Sequence, residues 1–182
     1  LHRSVTGGLV TRPATPEDES TVQGLVEGLS NANAVMDAFK GLGAMDADAR
    51  KKTKQQGFLM EYMGVAVGVA ILEDGVNVAQ LADCFQLEDH VALAVHAHDA
   101  HTTLTHFVLA PVFGGFVRAT LHQLLRQSNH TVLYLREAMS ADQSLDYSVR
   151  RCMVQVKPRA PVLLPSSDWN PPEGSWVDND QL

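Results

Sequence analysis

The apolar positions of this chain change period along its length, and the changes mark out alternating strands and helices. Leu9-Val10-Thr11-Arg12 reads as a short strand closed by Pro13. Thr15-Pro16-Glu17-Asp18 then opens a helix, with Thr15 at the N-cap, Pro16 at the first helical position and Asp18 beside the positive helix end. Val22, Leu25, Val26 and Leu29 follow at helical spacing and are expected to face the core. Ala32 to Leu42 and Asp46 to Gln55 predict a further helical stretch interrupted at Gly41 and Gly43, with Val35, Met36 and Phe39 on its apolar side.

Gly57 to Tyr62 and Val65 to Leu72 predict a hairpin turned at Met63-Gly64, its second strand apolar on both faces and therefore central in a sheet. Gly68 within that strand implies a bulge or a close backbone approach. After a turn at Asp74-Gly75, Val78, Leu81, Ala82 and Phe85 mark a short amphipathic helix. His90 to His96 and Thr103 to Leu109 read as strands with a turn near His98-Asp99. Phe113, Phe116, Val117, Thr120, Leu121, Leu124 and Leu125 form the apolar side of a long helix, and Arg118, His122 and Arg126 its opposite face. Thr131 to Arg136 and Cys152 to Lys157 complete the set of expected strands.

The alternation predicts one α/β domain with a mixed central sheet flanked by helices, over residues 9–160. Residues 1–8 read as linker and 161–182 as a polar, Pro-rich tail, so the chain is expected to be a segment of something longer. A hydrophobic content of 45% in 182 residues is enough for one core. The net charge of -7 argues against nucleic acid or an anionic membrane as partner, since both are held by clustered Lys and Arg. Cys84 and Cys152 stand far apart in apolar surroundings, as buried free thiols of a reducing compartment do.

The order strand, capped helix, second helix, hairpin, strand, long helix, strand resembles the GNAT N-acetyltransferase family. Thr11-Arg12-Pro13-Ala14-Thr15-Pro16-Glu17-Asp18 is similar to the family's opening, and Val67-Gly68-Val69-Ala70-Ile71-Leu72 to its central hairpin strand. Val108-Leu109-Ala110-Pro111-Val112-Phe113 is similar to the end of the strand that leads into its acyl-CoA helix. Gln80 to Asp89, Thr105 to Phe113 and Val154 to Arg159 further resemble the GNAT-like region of the cilia- and flagella-associated protein 61 family. That resemblance implies a scaffold component of the ciliary or flagellar axoneme. It would stand at the base of radial spoke 3 in the calmodulin- and spoke-associated complex, with other radial spoke proteins as partners and calmodulin only indirectly.

In an active member of the GNAT family, backbone N–H groups at the start of the long helix hold the pyrophosphate of acetyl-CoA. The family pattern there is Gln or Arg, two residues, Gly, one residue, Gly. Counted from Pro111, this chain has Gly114, Gly115, Phe116, Val117, Arg118 and Ala119. The leading Arg or Gln is replaced by Gly114 and the first Gly by Val117, whose branched side chain is expected to crowd a phosphate and stiffen the turn. No cofactor is therefore expected. If the site were active, Tyr147 is the candidate acid with Tyr134 in reserve, and His106 or Glu137 the candidate base.

His90, His96, His98, His101 and His106, with Asp89 and Asp99, raise a metal hypothesis, since His96 and His98 would share one strand face. No Cys pair or His-Glu-x-x-His spacing accompanies them, and the reading taken is a polar hairpin without metal. A non-catalytic scaffold domain thus leads. The alternative is an active or ligand-regulated, acetyl-CoA-dependent N-acetyltransferase. A calmodulin-contacting long helix is disfavoured because Arg118 and Arg126 are its only firm positive charges.

Overall fold

A computed structural model describes residues 8–43, 55–135 and 147–159. Five strands form one sheet in the order β1-β2-β3-β4-β5. They are β1 (Leu9–Pro13), β2 (Gln55–Tyr62), β3 (Val65–Asp74), β4 (His101–Leu109) and β5 (Val132–Leu135). The first four are antiparallel neighbours, and β5 runs parallel to β4 from His101↔Val132 to Leu104↔Leu135. The sheet is mixed, as the alternation of elements predicts, with β3 at its centre.

The helices are α1 (Glu19–Val26), α2 (Ala32–Gly43), α3 (Val78–Cys84), α4 (Val117–Ser128) and α5 (Tyr147–Arg150). Side chains of β3 alternate between two cores. Ala70 and Leu72 join Leu121 and Leu124 of α4 and Val149 of α5, whereas Val69 and Ile71 join Val22 and Val26 of α1 and Val35 and Phe39 of α2. Both faces of β3 are thereby covered, which accounts for its unbroken apolar run.

Two backbone positions carry the hairpin. Met63 and Gly64 adopt φ of 51° and 81°, the left-handed pair that a two-residue turn needs to match the twist of its strands. At Gly68 a Cβ would lie 2.5 Å from the carbonyl oxygen of Val108, so only glycine lets β4 approach there.

Several expected elements are placed differently. Leu29 is exposed, because α1 ends at Val26 and the chain turns through Gly28. Gly41 does not interrupt α2. The expected continuation at 46–54 lies outside the described residues. His90 to His96 is not a strand but follows one 3-10 turn, Leu87–Asp89, and forms a second, Leu93–Val95. The physical reason is that β3 has a strand on both sides and β4 is already paired with β5 from His101 to Leu104, the end that follows this segment, so neither offers it an edge there. Cys152 to Lys157 is not a strand either; the chain there makes one bridge, Pro158 to Phe85, and Arg159 donates to the Cys84 carbonyl at 2.8 Å.

The outer edge of β1 is closed by side chains rather than by a strand. Gln123 of α4 accepts from the Thr11 N–H at 3.2 Å and donates to the Leu9 carbonyl at 3.3 Å, and Gln127 donates to the Thr11 carbonyl. Open edges of this kind invite pairing with other chains. Replacing both glutamines by leucine is expected to produce self-association in sedimentation velocity; a double variant as monodisperse as the parent would show that the amides do not guard the edge.

The start of α1 is held by charge. Arg12 reaches Asp18 through two bonds of 2.7 and 2.8 Å, and Asp18 also accepts from the Thr15 N–H at 2.8 Å and its hydroxyl at 3.0 Å. The Arg12 guanidinium, helped by Thr15 and opposed by burial, holds the Asp18 carboxyl far below the usual carboxylate range. A depressed carboxylate stabilises the fold above its unfolded pKa near 4 and loses that contribution as pH falls. Asp18→Asn is therefore expected to cost about 2 kcal/mol at neutral pH by urea denaturation, with the gap shrinking below about pH 4. A gap equal at pH 7 and pH 3 would contradict the assignment.

Candidate functional site

The connection from β4 to α4 is where a pyrophosphate site would lie, and its geometry starts from Leu109. Ala110 donates to the Val67 carbonyl at 2.8 Å, and a 3-10 helix, Pro111–Phe116, runs straight into α4. Within it the Phe113 N–H bonds the Ala110 carbonyl, and the Val117 N–H bonds that of Gly114. The helical ladder thus begins at Pro111, six residues before α4 proper. Amides that could have pointed at an anion are engaged inside that run, which weakens the donor set a helix terminus offers.

The expected steric role of Val117 is corrected. Its side chain is 1% exposed and packs in the core with Leu121 and Leu124, so it faces away from the solvent side of the connection. Gly114 and Gly115 have open space where a Cβ would stand, and neither needs positive φ. Ala119 is half-buried. Arg118, His122 and Arg126 are exposed together on the outward face, as their spacing predicts.

β4 is paired on its β5 side only as far as Leu104; from Thr105 to Leu109 its described partner is β3 alone. The reserve acid Tyr134 and the candidate base His106 are not brought together. Tyr134 pairs with Thr103, whereas His106 pairs with Ile71, about 10 Å further along β4 at the rise of a strand. His106 is half-buried, its imidazole makes no hydrogen bond among the described residues, and burial pushes it below its usual pKa. Tyr147 is the first residue of α5, and Glu137 lies outside the described residues.

Tyr134 instead belongs to a cluster with His101, which sequence reading placed in a polar hairpin. Their rings stack at 5.8 Å and 14°, and His101 Nδ1 lies 3.0 Å from the Tyr134 hydroxyl. His96 sets its ring edge-on to His101 at 5.9 Å, with its Nδ1 2.8 Å from the Thr131 hydroxyl. His130, a residue the sequence reading passed over, is buried with Nε2 3.2 Å from Asp74. Burial first, then neighbouring His96, His98 and His130, holds His101 below its usual pKa, and burial raises that of Tyr134. Both shifts favour the neutral forms, and the stacked rings bury aromatic area against each other.

His96 and His98 share no strand face, because no strand forms there. Among the described residues no three His, Cys, Asp or Glu side chains are grouped to hold a metal ion. Cys84 and Cys152 are free and half-buried, and burial raises the Cys84 thiol pKa. A cleft between the end of β1, α2 and the start of β2 is lined by Thr15, Phe39, Leu42, Gln56 and Gln127, among others, and among the described residues by no carboxylate, imidazole, thiol or amine. Among the described residues no helix is long and apolar enough to cross a membrane.

No family model matches the sequence. Over 126 residues the chain is 29% identical to cilia- and flagella-associated protein 61 of Tetrahymena thermophila, a match covering 69% of this chain and 7% of that protein. The chain therefore spans a small part of this relative's length. Among solved structures, an aminoglycoside N-acetyltransferase in complex with CoA superposes with a TM-score of 0.50 at 12% identity, covering 87% of this chain and 94% of the other. A ribosomal-protein-alanine N-acetyltransferase from Brucella melitensis biovar Abortus 2308 gives 0.48 at 12% identity, covering 94% and 98%. The chain has the GNAT acetyltransferase fold, and in sequence it is similar to a cilia- and flagella-associated protein.

Proposed function

We propose that this chain is a non-catalytic scaffold domain of a ciliary or flagellar protein. The observation that carries the proposal is the connection before α4. Its Val117 N–H is tied to the Gly114 carbonyl, its Val117 side chain is a core residue, and no arginine or glutamine precedes the glycines. A fold alone does not carry acetyl transfer; a site must. Of the acid candidates, the reserve Tyr134 lies apart from His106 and is engaged with His101.

The location is proposed from the similarity to the Tetrahymena protein, whose name associates it with cilia and flagella. The finer placement, in the axoneme at the base of radial spoke 3 within a calmodulin- and spoke-associated complex, follows from the sequence resemblance. On this reading the domain contacts neighbouring axonemal and radial spoke proteins, and calmodulin only through them. A working or ligand-regulated N-acetyltransferase is the competing reading. The half of β4 from Thr105 to Leu109, which has no second strand beside it among the described residues, and the fold of the CoA-bound aminoglycoside enzyme favour it.

Isothermal titration separates the two. Acetyl-CoA and CoA are expected to give no heat of binding up to millimolar concentration, and no acetyl group should reach a panel of amines. Micromolar binding of either ligand, or transfer to any amine, would overturn the scaffold reading. For location, the tagged chain expressed in a ciliated cell is expected to stay with the axoneme after detergent extraction, and its complete release with the soluble fraction would sink that placement.

A further inference from the structure

Exposed apolar side chains are not spread evenly over this molecule. Val10, Leu29, Val95 and Val154 are exposed in four separate segments of the chain, as surface apolar residues commonly are. A different situation holds where the β2–β3 turn meets the 3-10 helix before α4. Met63 is 81% exposed, Val65 64% and Val112 80%. Tyr62 ties the two segments together, its ring 5.1 Å from that of Phe113, the residue after Val112.

The same surface continues into charge. Residues three apart eclipse in a 3-10 helix and those four apart align in an α-helix, so Val112, Gly115, Arg118, His122 and Arg126 fall on one outward stripe. All five are exposed. At 2.0 Å per residue through the 3-10 part and 1.5 Å through α4, the stripe is about 24 Å long, the length of about four turns of a docked helix. Gly114 and Gly115 leave bare backbone between its apolar and charged parts, with nothing within 4 Å of a built Cβ at either. Arg118 and Arg126 make no ion pair among the described residues, whereas Arg12, Lys40 and Arg159 each have a carboxylate partner. In a chain of net charge -7, two unpaired guanidiniums beside an exposed apolar cluster form a local field of opposite sign to the whole.

We infer that this face docks an acidic amphipathic segment of a partner protein. Its apolar side chains would seat on Met63, Val65 and Val112, and its carboxylates on Arg118 and Arg126, with His122 between them. Charge complementarity selects the partner: apolar contact supplies area without orientation, and the arginine stripe sets direction and excludes basic helices. The inference rests on the scaffold reading and specifies the kind of partner that reading requires.

The test uses this chain and three labelled synthetic helices with the same leucine and phenylalanine anchors, carrying glutamate, glutamine or lysine at the remaining positions. Fluorescence anisotropy at low salt is expected to give binding of the glutamate helix about tenfold tighter than the glutamine helix, with none for lysine, and the gap should close as salt shortens the screening length. Arg118→Glu with Arg126→Glu should abolish the preference for glutamate. Val112→Asp with Met63→Asp should weaken the glutamate and glutamine helices alike, while Val154→Asp, at an exposed valine outside the stripe, should change nothing. Circular dichroism of each variant checks folding. Equal affinity for the three helices, no binding by any, or concentration-dependent pairing of the chain with itself through Val112 would overturn the inference. Failure of this test with no acetyl-CoA binding removes the surface and leaves the scaffold reading, whereas acetyl-CoA binding removes the scaffold reading whatever the helices do.

Discussion

A strand lasts only where its backbone groups find partners, and the edges of this sheet organise what lies around them. β2, β3 and β4 each have a strand on both sides. β1 has one, and its other side is met by Gln123 and Gln127 from α4. Those glutamines are four apart, on one flank of a helix whose Val117, Leu121 and Leu124 face the core. Position and rotation of α4 are thus fixed by two demands at once: burial of its apolar stripe and completion of the β1 edge. With α4 so placed, the chain must pass from Leu109 to Val117 by a short route, and the 3-10 helix Pro111–Phe116 is that route.

The features legible in the sequence are those fixed locally or by one face. Met63-Gly64 announces its turn because few residue pairs adopt left-handed φ together. The apolar run of β3 announces a central strand, and Gly68 a close approach, because a Cβ there has no room. Alternation at Val91, Leu93 and Val95 reads as a strand with equal force, yet alternation says nothing about whether an edge is free. β3 had none to offer, nor did the start of β4 where β5 pairs, and the segment coiled into a 3-10 turn. Cys152 to Lys157 forms no strand either: the Lys157 carbonyl accepts from the Gln86 N–H and the Arg159 N–H donates to Cys84, and the single bridge they make does not make a strand.

At the candidate site the outward stripe of Arg118, His122 and Arg126 was legible from the helical period. So, on the same evidence, was the inward direction of Val117, which stands at i-4 and i-7 to Leu121 and Leu124. Reading Val117 as an obstacle to phosphate set a motif comparison against that period, and the period prevails. Pairing of His101 with Tyr134 was not legible, since it depends on the parallel register of β4 and β5 across a helix of intervening sequence. No spacing rule links residues brought together in that way.

On the scaffold reading, the 3-10 helix Pro111–Phe116 bears on two kinds of ligand in opposite ways. A small anion is held by free N–H groups converging on a point, and a helical ladder carried back to Pro111 engages the Phe113 and Val117 amides internally. A protein segment needs no such convergence; it needs accessible apolar area, bare backbone for close approach and charges set along a line. Lengthening the ladder turns Val112 and Gly115 outward in line with Arg118, His122 and Arg126. On the scaffold reading, the residues whose ladder ties up the Phe113 and Val117 amides are therefore the same ones that line the proposed contact stripe.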